Sequence, residues 1–422
     1  MGRKRYHPTP LSELQKDINM ANFDLTRKLA LEEGGKILLL VMDGLGGLPR
    51  TVDGLTELET AHTPNMDKLA REGSTGLSIP VARGIAPGSG PAHLALFGYD
   101  PIVYDIGRGV LEAIGIGLEV GAGDVAVRGN FCTIDANGLI TDRRAGRIST
   151  EEGEKRVELL KTIQIPGVEC QVKAGEGYRF ALVLRGAGLS DQVEDTDPQA
   201  TGLAPLPARA SAPEGEKTAE LINQWLAAAK EVLRGQEPAN MCTLRGVATD
   251  PNLPKYSEVY KLNAACVAVY PMYKGVSRLV GMNIIETDAH DTIEDEFNKV
   301  AEIWEQHDFV FCHVKYTDSR GEDGNFDAKV QIIEEVDRQL PKLLALNPDV
   351  IIITGDHSTP AAYKAHSWHP VPTLLWARTA MPGRAQGFGE RDCVFGTLGQ
   401  FPAVDLMPLA LGHASRFQKF GA

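Results

Sequence analysis

Hydrophobic residues are concentrated in short runs that end abruptly in polar side chains of the kind that bind metals. Residues 37–42 lead into Asp43. Residues 309–314 run towards Asp318, and a β-branched run ends near the pair Asp356-His357. Continuous apolar runs of this length are typical of strands buried on both faces of a sheet. Because open α/β sheets carry their sites at the carboxyl ends of the strands, the pattern predicts that these polar groups share a site.

Strand and helix patterns alternate on both sides of a central block of different character. The alternation covers residues 34–118 and 262–422 and includes a long amphipathic helix over 325–346. It predicts an α/β core with a mostly parallel sheet that is flanked by helices. A chain of 422 residues is too long for one ordinary core, so two domains are expected.

The central block covers residues 119–261 and contains short candidate strands, turns and arginine-bearing loops. A Pro/Ala-rich stretch at 198–213 is typical of an exposed loop. We interpret this block as a smaller α/β (α+β) domain that is inserted into the core. Residues 1–33 are polar and predict a helical N-terminal extension whose role the sequence does not indicate.

Charge and composition narrow the class of partner. The net charge of −13 disfavours nucleic acid, because neutralising phosphates requires clustered Lys and Arg, but small phosphorylated substrates need only a few local cations. The six cysteines are scattered without a C-x-x-C pair, which favours a reducing compartment. No apolar signal core and no window near the roughly 20 apolar residues of a membrane span occur. We therefore expect a cytoplasmic protein without a membrane partner.

Candidate metal ligands lie on five loops of the predicted core. They are Asp43, Ser89, Asp318, Glu322, Asp356, His357 and His366. Carboxylate and imidazole ligands suit Mn, Zn, Mg or Co rather than a thiolate-bound metal. Seven groups are more than one ion usually needs, so two adjacent divalent ions are predicted. Such a pair can clamp both the attacking and the leaving oxygen of a phosphoryl displacement.

Ser89 is the candidate nucleophile. A serine in the loop Pro87-Gly88-Ser89-Gly90 is most often a turn residue, but the flanking glycines expose this one. A helix predicted to start near Pro91 would aim N–H groups and the positive end of its dipole at Ser89. A bound metal would lower the pKa of the hydroxyl further, which is the activation that a hydroxyl nucleophile requires. By contrast, we expect His93 to be structural or to support ligands, and His313 to pack in the core.

A set of short motifs occurs in order along the chain. They are Asp43-Gly44, Thr63-Pro64-Asn65-Met66-Asp67, Pro87-Gly88-Ser89-Gly90-Pro91, Gly107-Arg108-Gly109, Arg128-Gly129-Asn130-Phe131, residues 142–147, Asp195-Thr196-Asp197-Pro198, Lys274-Gly275, Thr317-Asp318 and Thr354-Gly355-Asp356-His357-Ser358. Over roughly residues 36 to 422 the set resembles the archaeal-type 2,3-bisphosphoglycerate-independent phosphoglycerate mutases of the alkaline phosphatase superfamily. The resemblance implies a phosphatase-like core with an inserted phosphotransferase domain.

The resemblance also implies roles for individual residues. One metal would be held by Asp43, Ser89, Asp356 and His357, and the other by Asp318, Glu322 and His366. Ser89 would take the phosphoryl group from 3-phosphoglycerate and return it to the 2-hydroxyl of glycerate. The residues that contact the carboxylate and phosphate of the substrate would be Arg128, Arg143, Arg147, Arg185 and Lys274. Asp142 would be a general base for the hydroxyls of glycerate.

One position departs from the pattern of the family. Where the family motif reads Gly-His-Asp-Gly, this chain reads Gly321-Glu322-Asp323-Gly324. Glutamate can still bind a metal, with a preference shifted towards Mn or Mg.

The main expectation is a glycolytic and gluconeogenic isomerase that passes through a phosphoserine. The alternatives are a phosphomonoesterase or mutase for another phosphate ester, and a catalytically silent binding protein on the same fold.

Overall fold

The computed structural model describes residues 23–288 and 290–421. The chain divides into two compact units. The first unit comprises the residues up to Asp105 together with those from Leu253 onward, and the second unit comprises Ile106–Asn252. Each unit has its own sheet and its own hydrophobic core.

An eight-stranded sheet forms the centre of the first unit as the structure describes it. Its strands are β1 (Ile37–Met42), β2 (Ser74–Ile79), β8 (Ala264–Ala268), β9 (Asn283–Ile284), β10 (Phe309–Val314), β11 (Val350–Thr354), β12 (Val371–Ala377) and β13 (Gly399–Pro402). Their order is β13-β2-β12-β11-β1-β10-β8-β9. Strand β12 runs antiparallel to both of its neighbours, and the other pairs are parallel. All residues of β1, β10 and β11 are buried, as their continuous apolar runs predict.

Helices cover both faces of this sheet. They are α1 (Glu57–Thr60), α2 (Pro64–Glu72), α3 (Ser89–Leu96), α7 (Tyr256–Val259), α8 (Pro271–Leu279), α9 (Ile293–Ile303), α10 (Tyr316–Glu322), α11 (Phe326–Leu344), α12 (Glu390–Cys393) and α13 (Leu406–His413), with 3-10 turns at Trp304–Gln306 and Ala403–Asp405. Helices α2, α9 and α11 contribute to one apolar cluster with Leu38, Leu40 and Val310 of the sheet. On the other face, the rings of Phe97 and Tyr256 pack against those of Phe311 and Phe309, respectively.

The second unit is an antiparallel sheet with helices. Its strands are β3 (Val125–Ile134), β4 (Ile140–Asp142), β5 (Glu169–Ala174), β6 (Arg179–Arg185) and β7 (Met241–Thr249), and its helices are α4 (Arg108–Gly115), α5 (Thr150–Leu160) and α6 (Glu216–Val232), with 3-10 turns at Ala145–Arg147 and Pro213–Gly215. The order is β4-β3-β6-β5, with β7 paired to β3. Trp225 of α6 is fully buried and packs near Phe180 of β6, at the centre of an apolar cluster.

The predicted fold class is confirmed: a mostly parallel α/β core is combined with a smaller α+β unit. The compact units nevertheless differ from the predicted division at 119 and 261. Helix α4 belongs to the second unit because it lies directly on β3 and β7, so that a β-carbon at Gly109 would come within 2.2 Å of the Ala126 carbonyl oxygen. Helix α7 belongs to the first unit, where Tyr256 packs among the rings of Phe97 and Tyr260.

Most of the predicted N-terminal extension lies outside the described residues. Residues 23–29 are helical, and Phe23 packs against the ring of Tyr99. Across residues 23–288 and 290–421, every helix is too short or too polar to cross a bilayer.

Candidate metal centre and nucleophile

The parallel register of three adjacent strands brings the predicted ligands to one edge of the sheet. Val41 of β1 lies opposite His313 of β10 and opposite Thr354 of β11. Asp43 therefore leaves the sheet beside the end of β10, where its backbone N–H donates to the carbonyl oxygen of Val314 (2.9 Å). The end of β11 carries Asp356 and His357 to the same place, as the apolar runs in the sequence predict.

Asp43, Asp356 and His357 form a fully buried group whose ligand atoms all lie within 4.8 Å of one another. The Nε2 atom of His357 is 3.4 Å from Oδ1 of Asp43 and 3.2 Å from Oδ2 of Asp356. The hydroxyl oxygen of Ser89 lies 3.2 Å from the same Nε2 atom. Ser89 is partly exposed and is the first residue of α3, which starts two residues before the predicted Pro91. The structure thus places the hydroxyl of a partly exposed serine beside a buried group of two carboxylates and one imidazole.

A second group contains Asp318, His357 and His366, again within 4.8 Å of one another. The rings of His357 and His366 stack with their centroids 3.6 Å apart. Glu322 lies at the rim of this group, because its Oε1 atom is 3.8 Å from Nε2 of His366 and its side chain is 54% exposed. All seven predicted ligand residues are therefore collected at this edge of the sheet, with Glu322 the least enclosed.

Unsatisfied buried atoms indicate what the first group is suited to bind. Oδ1 of Asp43 and Oδ2 of Asp356 are buried without a hydrogen-bond partner in the structure. Buried polar atoms in proteins rarely lack a hydrogen-bond partner, so each unpaired atom requires a physical explanation. Two unpaired carboxylate oxygens beside a neutral imidazole nitrogen are a donor set that divalent cations prefer. The residues present therefore fit a divalent metal ion.

Glycine at position 44 allows the groups to approach. Its φ of +62° lies in the left-handed region, and its N–H donates to Oδ1 of Asp356 (3.0 Å). A β-carbon at this position would lie 2.8 Å from Oδ1 of Asp318 and 2.6 Å from the hydroxyl oxygen of Thr359. Any other residue would therefore be strained and would push apart the carboxylates that the site brings together.

Lys315 and Tyr273 belong to the site although sequence reasoning missed them. The Lys315 ammonium donates to Oδ2 of Asp43 (3.0 Å) and to Oδ2 of Asp318 (2.6 Å). The Tyr273 hydroxyl also donates to Oδ2 of Asp43, and Nε2 of His313 lies 3.5 Å from the same oxygen atom. Burial alone would raise the pKa of Asp43, but the positive charge of Lys315 and the contact with His313 hold it well below its ordinary value. Asp43 is therefore ionised.

Asp356 has a different environment. Burial and the negative charge of Asp43 raise the pKa of Asp356 to about 7. His93 lies behind it, with Nδ1 3.3 Å from Oδ2 of Asp356 and 2.8 Å from the carbonyl oxygen of Ser89. His93 and His313 are fully buried, and each contacts one carboxylate of the first group. His93 thus has the supporting position that was expected of it, and His313 combines its core position with a contact to Asp43.

Thr359 fixes the orientation of His357. Its hydroxyl donates to Oδ1 of Asp318 (2.7 Å), and its oxygen lies 2.9 Å from Nδ1 of His357. Because the hydroxyl hydrogen is used on Asp318, we assign the imidazole proton to Nδ1, which donates to Thr359. Burial also lowers the pKa of His357 to about 4, so the ring is neutral. Its Nε2 lone pair consequently faces Ser89 and the two unpaired carboxylate oxygens.

Lys274 is the only one of the predicted substrate-binding residues in the first unit. It lies in α8, and its ammonium is 3.4 Å from the carbonyl oxygen of Thr287. The others lie in the second unit. Arg143 makes a two-pronged ion pair with Asp197 (3.1 and 2.7 Å), which Arg245 also approaches at 3.6 Å. Arg245 is a further basic residue here that the sequence analysis did not single out.

The remaining residues predicted in the second unit make local contacts. Arg185 pairs with Asp124 (2.9 Å), and Arg128 lies 3.5 Å from Glu112. The oxygens of Asp142 accept hydrogen bonds from the backbone N–H groups of Arg144 (2.8 Å) and Gly146 (2.7 Å), so this carboxylate closes the turn after β4. Arg147 is exposed at a positive φ of 54°.

Known proteins resemble this chain over nearly its whole length. Residues 70–240 match the family model described as 2,3-bisphosphoglycerate-independent phosphoglycerate mutase. A relative from Thermotoga neapolitana is 52% identical over 94% of this chain and 98% of its own length, and one from Thermus thermophilus is 49% identical over 95% and 99%. Both are named "Probable 2,3-bisphosphoglycerate-independent phosphoglycerate mutase".

Two solved structures share the fold at 32% identity. The cofactor-independent phosphoglycerate mutase from Thermoplasma acidophilum superposes with a TM-score of 0.75 and covers 90% of this chain and 100% of its own. A protein from Pyrococcus horikoshii superposes with a TM-score of 0.77 and covers 92% of this chain and 100% of its own.

Proposed function

The chain belongs to the family of 2,3-bisphosphoglycerate-independent phosphoglycerate mutases, and we propose that it interconverts 3-phosphoglycerate and 2-phosphoglycerate with Ser89 as the carrier of the phosphoryl group. The position of Ser89 carries this proposal. Ser89 is partly exposed, its hydroxyl oxygen lies 3.2 Å from Nε2 of His357, and the residue stands at the first turn of α3. A helix N-terminus favours both a bound phosphate and a developing negative charge on the hydroxyl oxygen.

The reaction consists of two displacements at phosphorus. In the first, Oγ of Ser89 gives up its proton and bonds to phosphorus, the bond to the 3-oxygen of the substrate breaks, and that oxygen takes up a proton. In the second, the 2-hydroxyl of glycerate gives up a proton and bonds to phosphorus, the bond between phosphorus and Oγ of Ser89 breaks, and Oγ takes up a proton. The protons balance over the cycle, so a single group that accepts and returns a proton is sufficient. Asp142 is our candidate for that group.

The acidic groups fit divalent cations and would divide between two of them. Asp43, Ser89, Asp356 and His357 would hold one ion, and Asp318, Glu322 and His366 would hold the other. Such ions stabilise negative charge on phosphoryl oxygens and lower the pKa of a bound hydroxyl. The oxygen-rich set, with Glu322 in place of an imidazole, favours Mn or Mg over Zn or Co.

Substrate recognition requires cations that match a carboxylate and a phosphate. Arginine binds both groups in a bidentate geometry. Our candidates for substrate binding are therefore Arg128, Arg143, Arg147 and Arg185, with Lys274 as a point charge. Arg147 is the most available of them, since Arg143 and Arg185 already form close ion pairs with Asp197 and Asp124. We therefore propose that Arg147 contributes most to binding.

A coupled assay tests this function directly. Purified protein is given 3-phosphoglycerate without bisphosphoglycerate, and formation of 2-phosphoglycerate is followed after chelation and after readdition of Mn²⁺, Mg²⁺, Zn²⁺ or Co²⁺. We expect activity that is lost on chelation and restored by Mn²⁺ or Mg²⁺. Activity that survives thorough chelation would contradict the metal requirement, and release of free phosphate faster than 2-phosphoglycerate would contradict the mutase assignment.

A further inference from the structure

The two loops that deliver the ligands of the first group meet at a fully buried lysine. We define the first loop as residues 43–48, which follow β1, and the second loop as residues 355–361, which follow β11. Lys329 lies in the first turn of α11 and is 0% exposed. A lysine is almost never buried to this extent unless its ammonium has partners.

The partners of Lys329 are backbone carbonyl groups from both loops. Its ammonium donates to the carbonyl oxygens of Gly44 (2.8 Å) and Gly46 (3.1 Å) in the first loop, and of Thr359 (2.9 Å) in the second. An ammonium has three N–H donors, so the three carbonyl oxygens satisfy it completely. The loops also contact each other directly, since the backbone nitrogen of Thr359 lies 3.2 Å from the carbonyl oxygen of Gly44 and 3.0 Å from that of Gly46.

Glu57 makes the complementary contacts with the N–H groups of the same loops. It begins α1 and is also 0% exposed. One of its carboxylate oxygens accepts from the backbone N–H of Leu48 in the first loop (3.1 Å), and the other accepts from that of Ala361 in the second (2.7 Å). A buried cation and a buried anion, supplied by two different helices, therefore each bridge the two loops.

These bridges lead to the ligands in one further step. Gly44 follows Asp43 and donates to Asp356. Thr359 carries the hydroxyl that contacts both Asp318 and His357. A shift between the loops would consequently move ligands of both groups relative to each other. Burying two charged groups is costly, and apolar side chains of similar volume at these positions would stabilise the fold at least as well. The arrangement is therefore best explained by the loop geometry that it enforces.

We propose that Lys329 and Glu57 are positioning residues that hold the two loops at the spacing required for metal binding, an inference that rests on the proposed metal-dependent function. Neither residue is among the proposed metal ligands, and both act through backbone groups of the two loops. Their loss should weaken metal affinity before it affects anything else, because the partners that orient metal ligands typically contribute about 10- to 100-fold to affinity.

The variant Lys329→Met tests the proposal, since it keeps the apolar stem and removes the three donors. The matched control is Lys342→Met, on the same helix, where the ammonium pairs with Glu294 at the surface. The metal-free proteins are titrated with Mn²⁺ by calorimetry, and folding is checked by circular dichroism. We expect Lys329→Met to bind Mn²⁺ at least about tenfold more weakly, with much of kcat recovered at high Mn²⁺, and Lys342→Met to match the wild type.

The outcomes separate this inference from the proposed function. Wild-type Mn²⁺ affinity in a folded Lys329→Met protein would overturn the positioning role while leaving the function intact. If Lys329→Met does not fold, Glu57→Gln is titrated in the same way, and weaker Mn²⁺ binding is expected. Failure of both variants to fold, with Lys342→Met folded, would assign the pair to stability alone and overturn the inference. A wild type without Mn²⁺ binding would overturn both claims together.

Discussion

At the scale of single residues, Glu322 is the proposed ligand that departs from the Gly-His-Asp-Gly motif expected from the family resemblance. The residue is the last of α10 and is the most exposed of the seven proposed ligands. Its carboxylate faces His366 at 3.8 Å, close enough for a shared ion to draw the two together. A carboxylate is a harder ligand than an imidazole, which favours Mn²⁺ or Mg²⁺ over softer ions.

We predict that Glu322→His moves the metal preference towards Zn²⁺ and that Glu322→Ala weakens the second Mn²⁺ site by about tenfold or more. Asp323→Ala is the control, because this neighbouring carboxylate is similarly exposed (60%) and pairs with Arg320. Calorimetric titration of metal-free protein measures both effects. A two-site Mn²⁺ isotherm that is unchanged in Glu322→Ala would remove Glu322 from the ligand set.

The sequence predicts some residues of the site and misses others for a physical reason. Asp43 and Asp356 could be predicted because each ends an apolar run, a pattern visible along the chain. Lys315 has the same position directly after β10, but a lysine is not a metal ligand, so the pattern does not identify it. Tyr273 and Thr359 carried no signal, because their contacts depend on how separate segments pack.

At the scale of secondary-structure elements, a buried carboxylate fixes α2 against α11. Asp337 of α11 is 1% exposed and accepts from the backbone N–H groups of Met66 (2.8 Å) and Asn65 (3.2 Å) at the start of α2. These N–H groups have no partner within their own helix. Asp337 therefore both caps α2 and anchors it to the long helix that carries Lys329.

We predict that Asp337→Ala lowers the free energy of unfolding by about 2–4 kcal/mol, because it leaves buried N–H groups without an acceptor. Glu335→Ala should change the free energy of unfolding by less than about 0.5 kcal/mol, since Glu335 is partly exposed and its two side-chain partners, Arg338 and Gln339, lie on the same helix. Urea denaturation followed by circular dichroism compares the two. Equal stability of both variants would show that Asp337 does not anchor α2.

Elements with complete local signals were predicted well. Helix α11 (Phe326–Leu344) follows the amphipathic helix that the sequence predicts over 325–346. The order of the strands could not be read in this way, because β1 pairs with β10 and β11, more than 250 residues away in the chain. Only the shared edge was predictable, since parallel strands end together.

At the scale of the whole molecule, the α/β class and the family resemblance are confirmed, while the limits of the inserted unit differ from those predicted. The change of composition near 119 and 261 follows the strands and loops of the second unit. It does not detect α4, which is amphipathic like the helices of the core and joins the second unit only by packing on β3 and β7. A boundary set by packing leaves little trace in composition.

The central claim is that Ser89 carries the phosphoryl group, and rapid quenching with 3-phosphoglycerate labelled with ³²P tests it most directly. Acid-quenched protein is digested, and the labelled peptide is identified by mass spectrometry, with Ser89→Ala as the matched variant. We predict label on Ser89 in the wild type, and neither label nor mutase activity in a folded Ser89→Ala protein. Label on another residue, or mutase activity that persists in Ser89→Ala, would contradict the account.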